Sequence, residues 1–385
     1  MLHALPTRIT KADDSAWSKL EALAAKLEPA IAQALLTALE KVASLIDLEA
    51  VAKALEAGRL DQVMAMLGGN AVEAAYDPVQ AELRRAVDAG AVAALSAIPR
   101  PSNPLMVVRF DSLNPNVVSY VRNYTFSLIR EVTREQVAAV RQTVTDGLVA
   151  GKNPRVVARD VKQTVGLTDR QAKAVLNFRR ELETFHARKT AAGWNLGAKI
   201  SRAPGGAQTF AVDPDGNPLD GIMERRLRDF RFDKTLLKAM QTGKPLTPEQ
   251  IDKMVEAYQR KYLQYRSQTI ARTEAIRSLN AGQRLAWTQA VEQGVVKAEL
   301  IRRRWVVAKD ERTCPTCRPI PRMNEGPEGF GIGADDEFKT PAGPMRIPPA
   351  HPNCRCTVFT RVIESEMVGR KLKTEWQWPT NEAPF

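Results

Sequence analysis

The first 313 residues contain no cysteine, and the whole chain has only three histidines. The first absence excludes a disulfide framework through the body of the protein. The second leaves little material for a histidine-based hydrolase. No run approaches the roughly 18 apolar residues of a membrane-spanning helix, so no membrane segment is expected. There is no GxxxxGK[ST] phosphate loop and no GxSxG elbow. The first 20 residues have no basic start followed by an apolar core, which predicts assembly in the cytosol rather than secretion. Internal repeats are also missing.

What is present is a 385-residue chain, 44% hydrophobic and 26% charged, long enough for two or three domains. Its net charge of +12 is unevenly spread. Residues 1–98 are net acidic at −4, with 9 basic against 13 acidic residues. Residues 99–222 stand at +7 (18 against 11) and 223–304 at +9 (18 against 9), while 305–385 balance at 11 against 11. A basic middle favours phosphate-rich surroundings through counterion release, without sequence preference; a solvated surface accounts for the same counts.

Helical periodicity dominates. Trp17, Leu20, Leu23, Leu27, Ile31, Leu35, Leu39 and Val42 place one apolar face along a helix over 15–57. Alanine fills much of the rest at little cost to a helix. A helix over 60–67 stops at Gly68-Gly69, and Asp77-Pro78 opens another to about Ala97. These form an Ala-rich helical bundle, 1–98. Three prolines in 99–104 break the pattern and act as a hinge. A basic helical region, 105–245, follows. It starts with an extended piece (105–110) and a turn at Asn114-Pro115-Asn116. Its helices fall over 117–189 in three pieces. Thr133 with Gln136 reads as a capping box opening the second piece, and Gly166-Leu167-Thr168 breaks the third. Helices on either side of such a turn are compatible with DNA reading, though helical hairpins are far commoner. Gln208–Val212 with the turn after it suggests a surface hairpin, and Arg225, Arg226, Arg228 and Arg231 fall on a basic helix. Thr247-Pro248-Glu249-Gln250 has the chemistry of a helix start, for a helix running to about Gln293. The domain 246–363 ends in two strands, 300–308 and 357–362, and a C-terminal arm, 364–385, carries Trp376 and Trp378. The fold class expected is mainly α (α+β): helical bundles with a small C-terminal antiparallel β element built around a zinc-knuckle-like site.

All four cysteines sit in the last quarter, as Cys314-Pro315-Thr316-Cys317 and Cys354-Arg355-Cys356. The loop between them is dense in Gly and Pro and needs something to close its ends. A tetrahedral zinc ion would do so, held by Cys314, Cys317, Cys354 and Cys356. His351 with one cysteine of the second pair is an alternative set, because two ligands one residue apart in extended chain point to opposite faces. Disulfides, or packing and hydrogen bonds with free thiols, remain open as well.

These residues carry a resemblance. Thr269-Ile270-Ala271-Arg272-Thr273-Glu274 with Asn280 on one helix, then Trp305 and Asp310 before Cys314-Pro315-Thr316-Cys317, then Pro348-Pro349-Ala350-His351-Pro352-Asn353-Cys354-Arg355-Cys356, resemble the Mu F-like head-morphogenesis family of tailed phages. The resemblance is strong over 269–362. It implies a minor structural head protein in the virion, inside the head, assembled in the bacterial cytoplasm. It implies attachment near the portal protein, with capsid or scaffold proteins and packaged double-stranded DNA as further partners. Arg272, Glu274, Asn280, Trp305 and Asp310 are then motif residues supporting the fold. Arg272 and Glu274 read as structural ion-pair formers, with Arg355 among the partners open to Glu274. Arg302, Arg303 and Arg304, like the four arginines at 225–231, are candidates to face DNA. No enzyme is expected, since four Cys/His ligands leave a metal no open position. The rival readings are a nonspecific DNA-binding protein and a metal-dependent nuclease of the head.

Overall fold

The computed structural model describes residues 11–99, 108–192, 201–202, 208–209, 222, 225–308, 310–311, 313–326 and 329–363. Most of the 99–104 hinge, the turn at 213–218 and the arm with Trp376 and Trp378 lie outside the described residues. The described chain is mainly helical, with small antiparallel pairs of strands, as the periodicity predicts. Its helices are α1 (Lys11–Ser44), α2 (Leu48–Glu56), α3 (Leu60–Ala65), α4 (Asn70–Ala74), α5 (Asp77–Leu95), α6 (Pro115–Val149), α7 (Pro154–Thr164), α8 (Asp169–Ala192), α9 (Asp233–Thr242), α10 (Pro248–Glu292) and α11 (Ile320–Met323). The strands are β1 (Ser201–Arg202), β2 (Gln208–Thr209), β3 (Ile301–Val306) and β4 (Thr357–Val362).

Local chemistry explains where the helices begin. Asp47 accepts a hydrogen bond from the Glu49 amide and starts α2, so the single helix expected over 15–57 is two. Asn114 does the same for Asn116 at the start of α6. The capping box expected at Thr133 and Gln136 does not form, because α6 runs unbroken through both. Gln136 is instead buried. The motif appears one turn-break later. Thr168 Oγ and the Gln171 amide, and the Thr168 amide and Gln171 Oε1, bond reciprocally ahead of α8. A second box at Thr247 and Gln250 opens α10 where the Thr-Pro-Glu-Gln string places it. Replacing Thr247 with Ala should cost about 1 kcal/mol in denaturant unfolding, with an unchanged slope.

Two compact units are assembled, one from two and the other from three separated stretches of chain. In one (35–77 and 126–267), α2 packs on α7 and α7 on α8. The Phe178 and Tyr258 rings meet there at 4.4 Å. The basic helix expected from the Arg225 region to Gly243 begins only at Asp233, as α9, and ends at Gly243 as expected, with residues 225–229 in irregular chain and a turn and a short 3-10 turn at Phe230–Phe232 before it. Arg225 is engaged by Glu181, Arg228 is buried against Asp233, and exposed Arg231 is paired with Asp229. Arg228 therefore does not present a surface to nucleic acid. Arg226 is exposed. Strand β2 pairs antiparallel with β1 in the register Ser201 with Thr209, and the rest of the hairpin expected from Gln208 onward lies outside the described residues.

The other unit (1–34, 78–125 and 268–385) holds the cysteines. Its core joins α5, the second half of α10 and β3 through Ala91, Ala94, Trp287, Ala290 and Ile301. Strands β3 and β4 pair antiparallel with Ile301 opposite Val362 and Trp305 opposite Val358, so the loop between them is the long excursion the strand pattern implies. The Trp17–Ser44 part of α1 is long and apolar enough to span a membrane by length and composition alone. Leu20, Ala24 and Ile31 on it are nevertheless buried in the protein, as in a core helix.

Candidate metal centre

Strand β3 ends just before the first cysteine pair and β4 begins just after the second, so sheet pairing brings the two pairs together. The backbone amide of Cys317 turns back to Cys314 Sγ at 3.3 Å, which shapes the CxxC loop. His351 Nε2 lies 2.9 Å from Cys314 Sγ and 3.0 Å from Cys317 Sγ. Cys317 Sγ lies 3.6 Å from Cys354 Sγ, too far for a disulfide, and all four cysteines are free. Two donor triads result, Cys314-Cys317-His351 and Cys317-Cys354-Cys356, with Cys317 in both. Neither contains a carboxylate. The alternative ligand His351 thus stands inside the cluster beside the four cysteines.

The donor set suits a metal ion. The separations are of the order that neighbouring donors in a tetrahedral sphere require, roughly 3–4 Å. His351 Nδ1 donates to the Pro352 carbonyl at 2.8 Å, which leaves Nε2 its lone pair. The indole N–H of Trp305 is buried, has no hydrogen-bond partner among the described residues, and stands beside the Cys356 sulfur. An anionic sulfur would satisfy it. Burial opposes charge on Cys314, yet hydrogen bonds from the Cys317 amide and thiol and from the Thr316 amide, with the electrostatic influence of His351, hold its pKa below the ordinary thiol value. Hydrogen bonds from Cys317 and Cys356 hold Cys354 well below that value. The same shared bonds push Cys317 up. Burial alone would lower the His351 pKa, but its bond to Pro352 and the neighbouring sulfurs of Cys354 and Cys314 raise it. The cluster can therefore supply thiolate and imidazole donors together.

Three elements hold the cluster. Helix α10 supplies the first. Thr273 Oγ1 accepts from the Asn353 amide at 3.0 Å. Two turns on, Asn280 Oδ1 accepts from Thr357 Oγ1 and the Val358 amide, while its Nδ2 donates to Ile276 O and Cys356 O. Asn280 is 2% exposed. Asn280→Ala should cost about 2–4 kcal/mol, read by denaturant unfolding, because several buried groups lose their partner at once. Helix α1 is the second element. Trp17 Nε1 donates to the Arg355 carbonyl at 2.8 Å, and Glu21 meets the Arg355 guanidinium at 3.5 Å. Asp310 grips the same guanidinium with both oxygens. The third is the inter-cysteine loop, which contributes a core of its own: Phe338 is fully buried edge-on to Trp305, 5.3 Å away. Asn324 ties it by bonds to Ile320 O, Lys339 O and the Lys339 amide.

Of the motif residues, Asn280, Trp305 and Asp310 therefore converge on the cluster. Glu274 is buried and accepts from the Tyr124 hydroxyl, and no bond to Arg355 occurs among the described residues. Arg272 has a buried Nε without a partner among the described residues. Arg303 is 4% exposed and points into the loop, donating to the carbonyls of Gly333, Arg346 and Asp336. It therefore does not face DNA. Half-buried Arg302 bonds to Glu299 O and Ile301 O, and Arg304 is half-buried. Sequence reading did not connect Trp17, Glu21 or Thr273 to the cluster. The four-residue spacing of Trp17 and Glu21 marks one helix face, but nothing local connects it to Arg355.

No curated protein and no solved structure matches the chain. Residues 231–359, about a third of the chain, match the family described as phage Mu protein F like protein, and this stretch carries the cysteine–histidine cluster with Thr273 and Asn280 that hold it.

Proposed function

We propose that the chain is a minor structural protein of a tailed-phage head, bound near the portal and acting in head assembly, DNA packaging or DNA delivery. The observation that carries this reading is the placement of the whole donor cluster and its α10 supports inside the Mu F-like stretch. The cluster acts as a closed structural zinc site. Cys314, Cys317, His351 and Cys354 or Cys356 would hold the ion, which fastens the inter-cysteine loop to β3, β4 and α10. The donor triads contain only sulfur and imidazole nitrogen. The nearby carboxylate of Asp310 is taken by Arg355. Both features favour a binding role over nuclease chemistry, which needs an open metal position and a base.

The exposed positive charge of the middle region, Arg226 among it, supports nonspecific tolerance of packaged DNA at most. Mass spectrometry of purified particles tests the assignment. The chain should be found in mature heads and in DNA-free heads, at far fewer copies than the major capsid protein, and should co-purify with the portal from detergent-dissociated heads. Absence from particles would overturn the structural role.

A further inference from the structure

A cleft of about 130 Å³ lies between α10, the β3–β4 pair and the inter-cysteine loop. Its walls are mixed, apolar at Trp287, Ile301, Ile347 and Val358 and polar elsewhere, and two arginines line it, Arg284 and Arg303. Neither forms an ion pair with a carboxylate among the described residues. Arg303 is buried, and among the described residues its guanidinium is held by three main-chain carbonyls and the Phe338 ring. That arrangement satisfies its N–H groups, while the carboxylates of Asp335 and Asp336 attract it only from a distance, with no ion pair among the described residues. Arg284 is half-buried, and its guanidinium has no hydrogen bond or ion pair among the described residues. The two cations repel each other, and Arg346, paired with Glu337, adds to the repulsion. Burial and the Arg284 charge together bring the Arg303 pKa down to about 10. A buried cation without a direct ion pair is costly, and a cleft lined by one such arginine and a second, half-buried one selects for an anion.

The surroundings choose among anions. Asp335 and Glu292 also line the cleft, and exposed Asp336 and Glu337 follow Asp335 along the loop. Asp335 attracts both arginines without forming an ion pair with either. This acidic rim repels a polyanion such as duplex DNA and disfavours a dianionic phosphate. A single carboxylate on an apolar stem meets less repulsion, gains the apolar part of the walls, and matches the guanidinium fork of Arg284. We infer that the cleft between α10, β3–β4 and the inter-cysteine loop binds an acidic side chain of a partner polypeptide, flanked by apolar residues, with Arg284 as its direct ligand and Arg303 as the fixed charge behind it. This inference is independent of whether the cluster holds a metal.

Isothermal titration of the full chain with an acetylated and amidated peptide, Ala-Leu-Glu-Leu-Ala, tests it. Saturable binding is expected, weakened about tenfold or more when the peptide Glu is replaced by Gln, and equally by Arg284→Gln in the protein. Arg284 has no partner to lose, so Arg284→Gln should keep the parent unfolding midpoint, and Arg284→Lys should bind with intermediate affinity. Equal affinity for the Gln peptide, unchanged binding by the Arg284→Gln protein, or no binding to the parent protein would each overturn the inference. Displacement of the peptide by equimolar inorganic phosphate would also overturn it, assigning the cleft to free phosphate.

Discussion

Cys317→Ser should be the most damaging single substitution in the cluster, because Cys317 is the one donor common to both triads. Loss of Cys314 leaves Cys317, Cys354 and Cys356 together, and loss of Cys356 leaves Cys314, Cys317 and His351. Loss of Cys317 leaves neither triad intact. Inductively coupled plasma mass spectrometry should find about one zinc per parent chain and none in Cys317→Ser. Binding of a structural ion is folding free energy, so the variant should lose roughly 4 kcal/mol or more. Parent protein stripped by a chelator should fall to the same stability, and added zinc should restore the parent but not the variant. The thiols should titrate as free only after stripping. A metal-free parent with stability unchanged by chelator or by Cys317→Ser would sink the zinc site. The Phe338 core, the Asn324 bonds and the Arg303 staple would then be what closes the loop.

Gly282→Ala should be nearly as damaging, by a different mechanism. A Cβ at Gly282 would stand 1.9 Å from the Val87 carbonyl oxygen, and one at Gly90 would stand 2.1 Å from the Leu279 carbonyl oxygen. Helices α5 and α10 therefore touch backbone to backbone, each through a glycine of its own. The obstructing atoms are main chain, which cannot rotate away as a side chain can. A methyl group at either position must push the helices apart and loosen the Ala91, Ala94, Trp287 and Ala290 packing beside them. A loss of about 3 kcal/mol or more is expected for Gly282→Ala, read as a lowered denaturant midpoint, with a similar loss for Gly90→Ala. In an open helix the same change would stabilise by up to about 1 kcal/mol, so the sign alone decides whether the close approach exists. Because α10 also carries Thr273 and Asn280, Gly282→Ala should weaken zinc retention as well, measurable as faster release to a chelator.

The residues that bear most on function differ in how legible they were. The cysteine pairs, the strands around them and the start of α10 could be read from local pattern, since a CxxC turn, an apolar run and a Thr-Pro-Glu-Gln string each act through near neighbours. Helix boundaries were read less well where two local signals compete. At Thr133 a capping box is written in the sequence, but burial of Gln136 and the packing of α6 override it. At 225–231 four arginines suggest a basic helix, while pairing with Glu181, Asp229 and Asp233 draws most of them into other roles.

Composition and motif thus determined by themselves that this is a mainly helical protein with a cysteine-built β element, and placed it beside the Mu F-like family. They also named five donors, though not how these divide around Cys317. Only the tertiary structure decided that His351 stands against both Cys314 and Cys317, that Arg303 is turned inward, and that Trp17 and Glu21 reach Arg355 from 334 or more positions away in sequence. It also decided that Gly90 and Gly282 face each other's helices. The reason is physical. Periodicity and turn chemistry act over a few residues and are written in order along the chain. Which faces meet depends on how distant stretches share one core, and no local spacing encodes that.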